Sequence, residues 1–170
     1  MTDELLIIGE IETKGISLTA DKLDLVGFCQ ELITEFTQTY PNYQFQFESN
    51  IACLETECDS RLLRSILTNI LTNAVKYSAC DRAIRFKLTT SKKGVIFTIQ
   101  DYGVGIPQED LKYIFEPFHR GKNVSNIPGT GLGLNIVKTF IAFLNGEIEI
   151  ISQLNRGTKV KITISLTRNL

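Results

Sequence analysis

The chain has 170 residues, of which 43% are hydrophobic and 22% are charged, which suits one globular domain with a substantial core. The formal net charge is -1 and the pI is about 5.9, so no basic surface indicates nucleic acid as a partner. No apolar run approaches the roughly 18 residues of a membrane span. The acidic start, MTDELLIIGEIETK, lacks the features of a signal peptide. We therefore expect a cytoplasmic protein.

The cysteine spacing favours free thiols over a metal site. The chain has four of them, Cys29, Cys53, Cys58 and Cys80, and no two form a CxxC pair. Only one histidine is present to complete a ligand set, so a zinc site is not expected.

Hydrophobic periodicity predicts helices and strands that alternate along the chain. Helices are predicted at residues 3–12, 21–39, 59–78 and 132–145, with a short one beginning at Pro107. Strands are predicted at residues 44–49, 83–90, 95–101, 147–152 and 158–166. Asp59 is the expected N-cap of the third helix, and Gly146 the residue that ends the last one. The fold class is then α+β, a two-layer sandwich with a mixed sheet of about five strands covered on one face by three helices.

The helix predicted at 59–78 carries an unusual polar stripe. At 100° per residue, its apolar side chains share one arc, whereas Asn69, Asn73 and Lys76 fall together on the other side. Amide oxygens suit Mg²⁺, and a lysine offsets phosphate charge. The stripe therefore indicates a magnesium–phosphate site, although an ordinary solvated face would look the same.

Two glycine-rich segments follow this helix. DYGVGIP (101–107) places Asp101 at a strand end, where a carboxylate can accept a hydrogen bond from the amino group of adenine, and its glycines would let a flat ring approach the backbone. GTGLGLNIVK (129–138) presents backbone N–H groups and a helix N-terminus to an anion. It is neither the GxGxxG fingerprint nor a GxxxxGK[ST] P-loop. Each segment alone is a weak signal, since D-x-G is also a common turn.

Taken in order, these motifs resemble the catalytic, ATP-binding domain of two-component sensor histidine kinases. NILTNAVKYS matches the N box of that family, DYGVGIP the G1 box, FEPF the F box and GTGLGL the G2 box. The resemblance runs from about residue 17 to 166 and implies a Bergerat-type ATP-binding fold with ATP and Mg²⁺ as ligands. It implies a histidine kinase that moves the γ-phosphoryl group of ATP to a histidine on a separate dimerisation domain.

The resemblance also assigns roles to residues. Asn73 and Asn69 would hold the metal, Lys76 and Tyr77 would contact the nucleotide, and Asp101 would bind adenine. Asn73, Lys76 and Arg120 would be catalytic, with Arg120 reaching the terminal phosphate from a lid at 115–131. Phe115 and Phe118 would anchor the base of this lid. The remaining nucleotide contacts would be Gly103, Gly105, Ile106, Gly129, Thr130, Gly131, Leu132, Gly133, Leu134 and Thr158.

Three departures from the family pattern carry information. Asn69 stands where hydrolytic relatives have a glutamate base, so rapid ATP hydrolysis is not expected. Asn155 replaces a glycine of the G3 motif, and asparagine tolerates a left-handed backbone. No H box is present, and His119 is interpreted as a lid side chain rather than a phosphoacceptor.

The resemblance divides the chain into residues 1–16, the remnant of a dimerisation helix and its linker, and residues 17–170, the catalytic domain. Such a fragment would be monomeric and unable to autophosphorylate alone, and its partners would be the dimerisation domain and a response regulator. Membrane anchoring of the parent kinase stays open, and so does the possibility of a free-standing protein. Three alternatives remain: a serine kinase of the anti-sigma type, a hydrolytic ATPase and a non-catalytic ATP-binding module.

Overall fold

The computed structural model describes residues 19–165, so the predicted helix at 3–12 and the last residue of the predicted strand 158–166 lie outside the described part. The helices are α1 (Leu25–Thr39), α2 (Ser60–Tyr77) and α3 (Gly133–Phe143), with a 3₁₀ turn at Lys122–Val124. The strands are β1 (Asp21–Asp24), β2 (Phe45–Ser49), β3 (Glu55–Cys58), β4 (Ile84–Ser91), β5 (Gly94–Gln100), β6 (Gly146–Gln153) and β7 (Gly157–Ile164). Within residues 19–165, no helix is long and apolar enough to cross a membrane.

Five strands form one mixed sheet in the order β2-β4-β5-β7-β6. Strands β2 and β4 are parallel, and all other neighbours are antiparallel. Because side chains alternate along a strand, one face of the sheet buries residues such as Phe86, Phe97 and Ile162, each about 1% exposed. The three α-helices cover that face, and the opposite face is open. The predicted two-layer α+β sandwich is confirmed.

Helix starts follow their capping residues. Asp59 caps α2 as predicted, because its Oδ1 accepts from the backbone N–H groups of Arg61 (3.1 Å) and Leu62 (3.3 Å). Helix α1 begins at Leu25, four residues later than expected, because Asp24 is its cap. The residues before that cap form β1, which pairs with β3 in a small second sheet that periodicity did not predict.

The helix expected at Pro107 does not form. Residues 107–116 make separate turns, in which the N–H groups of Asp110, Tyr113 and Glu116 each bond a carbonyl three residues back. Without overlapping i to i-4 bonds, no α-helix is established. The last helix also ends differently from expectation: Asn145, with φ +49°, takes the left-handed position, and Gly146 already begins β6.

Candidate functional site

A cavity of about 360 Å³ opens between α2, the loop after β5, the segment before α3 and the start of β7. It gathers all but three of the predicted site residues, although they come from distant parts of the chain. The predicted residues that line it are Asn69, Asn73, Lys76, Tyr77, Asp101, Gly105, Ile106, Arg120, Gly129, Thr130, Gly131, Leu132, Gly133, Leu134 and Thr158. The three that do not line it are Gly103, Phe115 and Phe118.

The polar stripe of α2 faces this cavity and is only partly exposed. Asn69 donates from Nδ2 to the carbonyl of Ser65 (3.0 Å), and its Oδ1 points toward Gly133, where an added Cβ would lie 2.8 Å away. The Lys76 ammonium lies against Gly129 and 4.9 Å from the centre of the Tyr77 ring. Because the stripe lines a cavity, the alternative of an ordinary solvated face does not describe it.

Asp101 is one of two buried charged residues in the described chain, at 8% exposure. Its Oδ1 accepts from the backbone N–H groups of Gly103 (2.8 Å) and Thr158 (3.2 Å). Within residues 19–165 no hydrogen bond engages its Oδ2. Burial raises the pKa of this carboxyl above its ordinary value, and the two N–H donors only partly oppose that rise. A desolvated carboxylate with one uncommitted oxygen is a strong acceptor for a ligand donor.

The glycines after Asp101 serve backbone packing. An added Cβ on Gly103 would meet the carbonyl group of Tyr77, with its carbon at 2.6 Å. An added Cβ on Gly105, whose φ is +67°, would likewise meet the carbonyl group of Gln153. The expectation that these glycines admit a flat ring is therefore wrong for Gly103, which packs against the end of α2 and lies outside the cavity.

The loop before α3 supplies unpaired backbone donors. Gly131 has φ +74°, and its carbonyl accepts from the N–H of Phe118 (3.1 Å). Helix α3 begins at Gly133 with no side-chain cap, so the first-turn N–H groups of this 11-residue helix lack side-chain acceptors. Together with the helix dipole, these groups favour an anion at this end of the cavity.

The predicted lid has its own internal contacts. Arg120 lines the cavity, but its Nη2 donates to the carbonyls of Val124 (2.8 Å) and Ile127. His119 also lines the cavity; its Nε2 lies 3.7 Å from Oδ1 of Asp110, and this nitrogen makes no hydrogen bond to any described residue. These contacts agree with the interpretation of His119 as a lid side chain.

The two phenylalanines of the F box differ. Phe118 has φ +63° and a side chain 73% exposed, and its contact at the base of the lid is made by its backbone N–H, which donates to the carbonyl of Gly131. Phe115 is half-buried beneath the Lys138 ammonium, and its carbonyl accepts from Nδ2 of Asn135 (3.0 Å). Neither ring reaches the cavity.

Sequence reasoning missed three side chains that hold the site together. Ser152 accepts from the N–H of Ile106 (2.8 Å), Asn123 donates to the carbonyl of Gly105 (3.0 Å), and Asn135 ties the lid to α3. Only Asn135 falls in a glycine-rich segment singled out above, GTGLGLNIVK, and no local signal in the sequence distinguishes the three from other polar residues. Other apolar residues of the cavity wall were also not predicted, namely Ile70, Ala74, Ile99, Ile114, Val124, Ile136, Ile150 and Val160.

This arrangement agrees with comparisons of the sequence. The profile of the family described as histidine kinase-, DNA gyrase B-, and HSP90-like ATPase matches residues 58–168. The chain belongs to this family. It is 32% identical over 164 residues to the signal transduction histidine-protein kinase ArlS of Staphylococcus aureus, an alignment that covers 95% of this chain and 36% of that kinase. The chain thus spans little more than a third of that relative.

Solved structures give the same family. The nucleotide-free catalytic domain of the histidine kinase ThkA matches with a TM-score of 0.76 and 25% identity, over 89% of this chain and 97% of that one. Full-length ShkA in complex with AMPPNP matches with a TM-score of 0.80, over 97% of this chain and 36% of that one; at 21% identity it shows the fold alone. The chain is therefore an ATP-binding domain homologous to the catalytic domains of sensor histidine kinases.

Proposed function

We propose that this chain binds Mg·ATP in the cavity and serves as the catalytic domain of a histidine kinase, passing the γ-phosphoryl group to a histidine on a dimerisation domain. The observation that carries the proposal is Asp101, a buried carboxylate in the cavity wall that uses one oxygen for two backbone donors and has no hydrogen bond to the other within residues 19–165. An acceptor in that position selects the amino group of adenine and repels the carbonyl of guanine.

The other residues divide the nucleotide between them. Ile106 and Thr158 would flank the base, and Tyr77 would pack beside it. Lys76 and the uncapped start of α3 would bind the phosphates, with Gly129 giving the lysine room. Phosphoryl transfer needs little covalent work from the protein, so positioning and charge neutralisation are the main contributions.

The donors along α2 fit a magnesium ion. Asn73 lines the cavity and makes no hydrogen bond within residues 19–165, so its amide oxygen would be the principal protein ligand, with Asn69 one turn away. No group of three or more His, Cys, Asp or Glu side chains in that range is placed to hold a metal ion. Most ligands would therefore be phosphate oxygens and water, and the ion would supply further neutralisation of phosphate charge.

Two features favour a kinase over a hydrolytic ATPase. Asn69 lies beside the start of α3, where the phosphates would bind, but unlike a glutamate it has no basic group to activate water. The lid residues Arg120 and Asn123 line the cavity and donate to the carbonyls of Val124 and Gly105, so the lid would exclude water when the nucleotide is bound. For Arg120 to contact the terminal phosphate, its Nη2 would have to leave the lid carbonyls, so its catalytic role stays a prediction.

The partners follow from the proposed reaction. The acceptor histidine would belong to a dimerisation domain, to which residues 1–16, outside the described part, would connect. A response regulator would receive the phosphoryl group next, and the domain would work in the cytoplasm. The chain itself would be monomeric.

Calorimetric titration tests the nucleotide site directly. The chain should bind ATP with Mg²⁺ and give no heat with GTP. Asp101→Asn should weaken ATP binding about tenfold or more, because a hydrogen bond to a charged group is lost. Asp110→Asn is the matched control, since it removes one charge from the same cavity wall and should not weaken binding. Equal losses in both variants would contradict the assignment of Asp101.

A transfer assay tests the reaction. The chain, ATP labelled at the γ position and a separately prepared dimerisation domain from a related kinase should yield a labelled histidine. ATP binding without any labelled acceptor would favour a non-catalytic binding module. Label on a serine of a partner would favour the anti-sigma type.

A further inference from the structure

The open face of the sheet carries two neighbouring rows of cations that differ in their pairing. In one row, Lys87 lies 3.8 Å from Glu48 and Lys161 lies 3.6 Å from Glu149, so both charges are neutralised. The other row lies two residues further along the strands. There Arg85 stands opposite Gln100 in the strand register, and Gln100 stands opposite Lys159. The two rows share strands and exposure, yet only one has acidic partners.

The second row is part of a larger uncompensated surface. The guanidinium groups of Arg82 and Arg85 lie 5.6 and 5.7 Å from the centre of the Tyr102 ring. Arg156 is exposed in the turn before β7, close in sequence to Lys159. Within residues 19–165, no ion pair joins any of these four cations to a carboxylate. These four cations, Arg82, Arg85, Arg156 and Lys159, are called the cationic row; two of them, Arg82 and Arg85, lie against Tyr102. The row therefore lacks an anionic partner in the described chain.

Apolar side chains border the cationic row on one side. Ile151, the β6 partner of Lys159, is 58% exposed, and Leu154 in the following turn is 46% exposed. Only four large hydrophobic residues of the described chain are exposed, and these are two of them. Cations beside exposed apolar groups are typical of a protein contact rather than of a solvated surface.

We propose that the cationic row docks a short acidic segment of a partner protein, a stretch that carries carboxylates next to one or two apolar side chains. Guanidinium groups bind carboxylates through paired hydrogen bonds, and the apolar side chains would cover Ile151 and Leu154. Arg85 and Lys159 are two strand spacings apart, roughly 10 Å, which an extended peptide of a few residues can bridge.

The surrounding charge favours a small segment over an extended polyanion. The neutralised row borders the cationic row on one side, and it contains the carboxylates of Glu48 and Glu149. The whole chain has a net charge of -1. A bilayer or a DNA duplex would extend over this charge-balanced row and gain no attraction there, whereas a short peptide meets the cations alone.

The surface also lies directly behind the nucleotide cavity. Because side chains alternate across the backbone, Asp101 and Thr158 line the cavity while their neighbours Tyr102 and Lys159 belong to the cationic row. The N–H of Asp101 bonds the carbonyl of Thr158 (2.9 Å) between the two surfaces. A partner bound here would contact the same backbone that positions the cavity residues.

Fluorescence anisotropy of the full chain, without nucleotide, tests the proposal. The probes are labelled poly-L-glutamate and a labelled glutamate–tyrosine copolymer, at low ionic strength. The double variant Arg85→Gln/Lys159→Gln should bind poly-L-glutamate about fivefold more weakly, as expected for two exposed ion pairs. Lys92→Gln/Lys93→Gln is the matched control, because it removes the same charge from the exposed turn at the other end of β4 and β5; its affinity should stay within about twofold of wild type.

The apolar border has its own test. Ile151→Ser should weaken binding of the copolymer about threefold and leave poly-L-glutamate unchanged, since only the copolymer offers apolar groups. Equal losses in the two double variants would overturn the proposal in favour of non-specific charge. The proposal would also be overturned if phosphatidylglycerol vesicles or a DNA duplex competed more strongly than unlabelled poly-L-glutamate, or if neither polymer bound. Circular dichroism of each variant would exclude misfolding, and no outcome depends on ATP binding.

Discussion

Ser152, near the end of β6, joins three parts of the candidate site through one hydroxyl. Its oxygen accepts from the N–H of Ile106 (2.8 Å) and lies 2.8 Å from Oγ1 of Thr158 and 3.0 Å from the carbonyl of Gly157. A hydroxyl accepts two hydrogen bonds and donates one, so all three contacts are satisfied when Thr158 is the donor to Ser152. Ser152→Ala removes them together.

The expected loss can be estimated from these contacts. The substitution leaves a half-buried N–H and a buried glycine carbonyl without their partner, and each unsatisfied group costs about 1 kcal/mol or more. We expect the free energy of unfolding to fall by about 2 kcal/mol, which for a chain of this size lowers the Tm by about 4–8 °C. ATP affinity should fall as well, because Ile106 and Thr158 line the cavity.

Urea unfolding followed by circular dichroism measures this loss. Ser91→Ala is the matched control, since Ser91 also ends a strand and accepts from a backbone N–H, that of Lys93 (3.1 Å), but is exposed. Water replaces its hydroxyl, so the change should stay within about 0.5 kcal/mol. If Ser152→Ala unfolds at the same urea concentration as Ser91→Ala, the role assigned to Ser152 is refuted.

Three further predictions use the same site. Gly103→Ala should destabilise the fold by about 2 kcal/mol or more, because its methyl group meets the backbone at the end of α2. Gly129→Ala is the control and should destabilise the fold far less, since its methyl group meets only the Lys76 side chain. Equal urea midpoints for the two variants would contradict this packing. Asp101→Asn should be more stable than wild type at pH 7, because the folded state raises the pKa of the Asp101 carboxyl and so favours its neutral form. This contribution to the free energy of unfolding is complete below about pH 3.8, the ordinary pKa, and is lost as pH rises through the pKa of the folded state. Urea midpoints for this pair should converge toward pH 4, and a gap that does not narrow would show that burial of the charge is not the cause. His119→Gln should reduce but not abolish transfer of phosphate to a separate dimerisation domain, and complete loss of the label would reopen His119 as an acceptor.

Most of the fold could be predicted from local patterns. The alternation of Phe86 with Leu88 and of Ile162 with Ile164 places each strand's buried face, and the apolar arc of α2 places its packing face, since both periods are properties of the backbone itself. Asp59 was identified as a cap because its carboxylate acts on N–H groups two and three residues away. Such short-range signals can be recognised from the local sequence, without any knowledge of the rest of the chain.

The pairing of β1 with β3 was not predictable in this way. Asp21 pairs with Cys58, and the two strands are only four residues each, too short to show a period. The helix predicted at Pro107 does not form, although its local signal is clear. Its composition favours a helix, but residues distant in sequence hold the end of this segment: Asn135 donates to the carbonyl of Phe115, and the N–H of Phe118 donates to the carbonyl of Gly131.

By itself, the sequence determined which chemical groups the site contains, because amides, a lysine, a carboxylate and glycines occur in an order typical of one family. Only the tertiary structure decided what each group contacts. Ser152 and Ile106 are 46 residues apart, and Asp101 and Thr158 are 57 apart, so no local rule joins them. The glycine at 103 was identified from the sequence, but its packing against α2 was visible only once both backbones were in place. Hydrogen bonds and steric contacts act over a few ångströms in space, and only the folded chain determines which distant residues come that close.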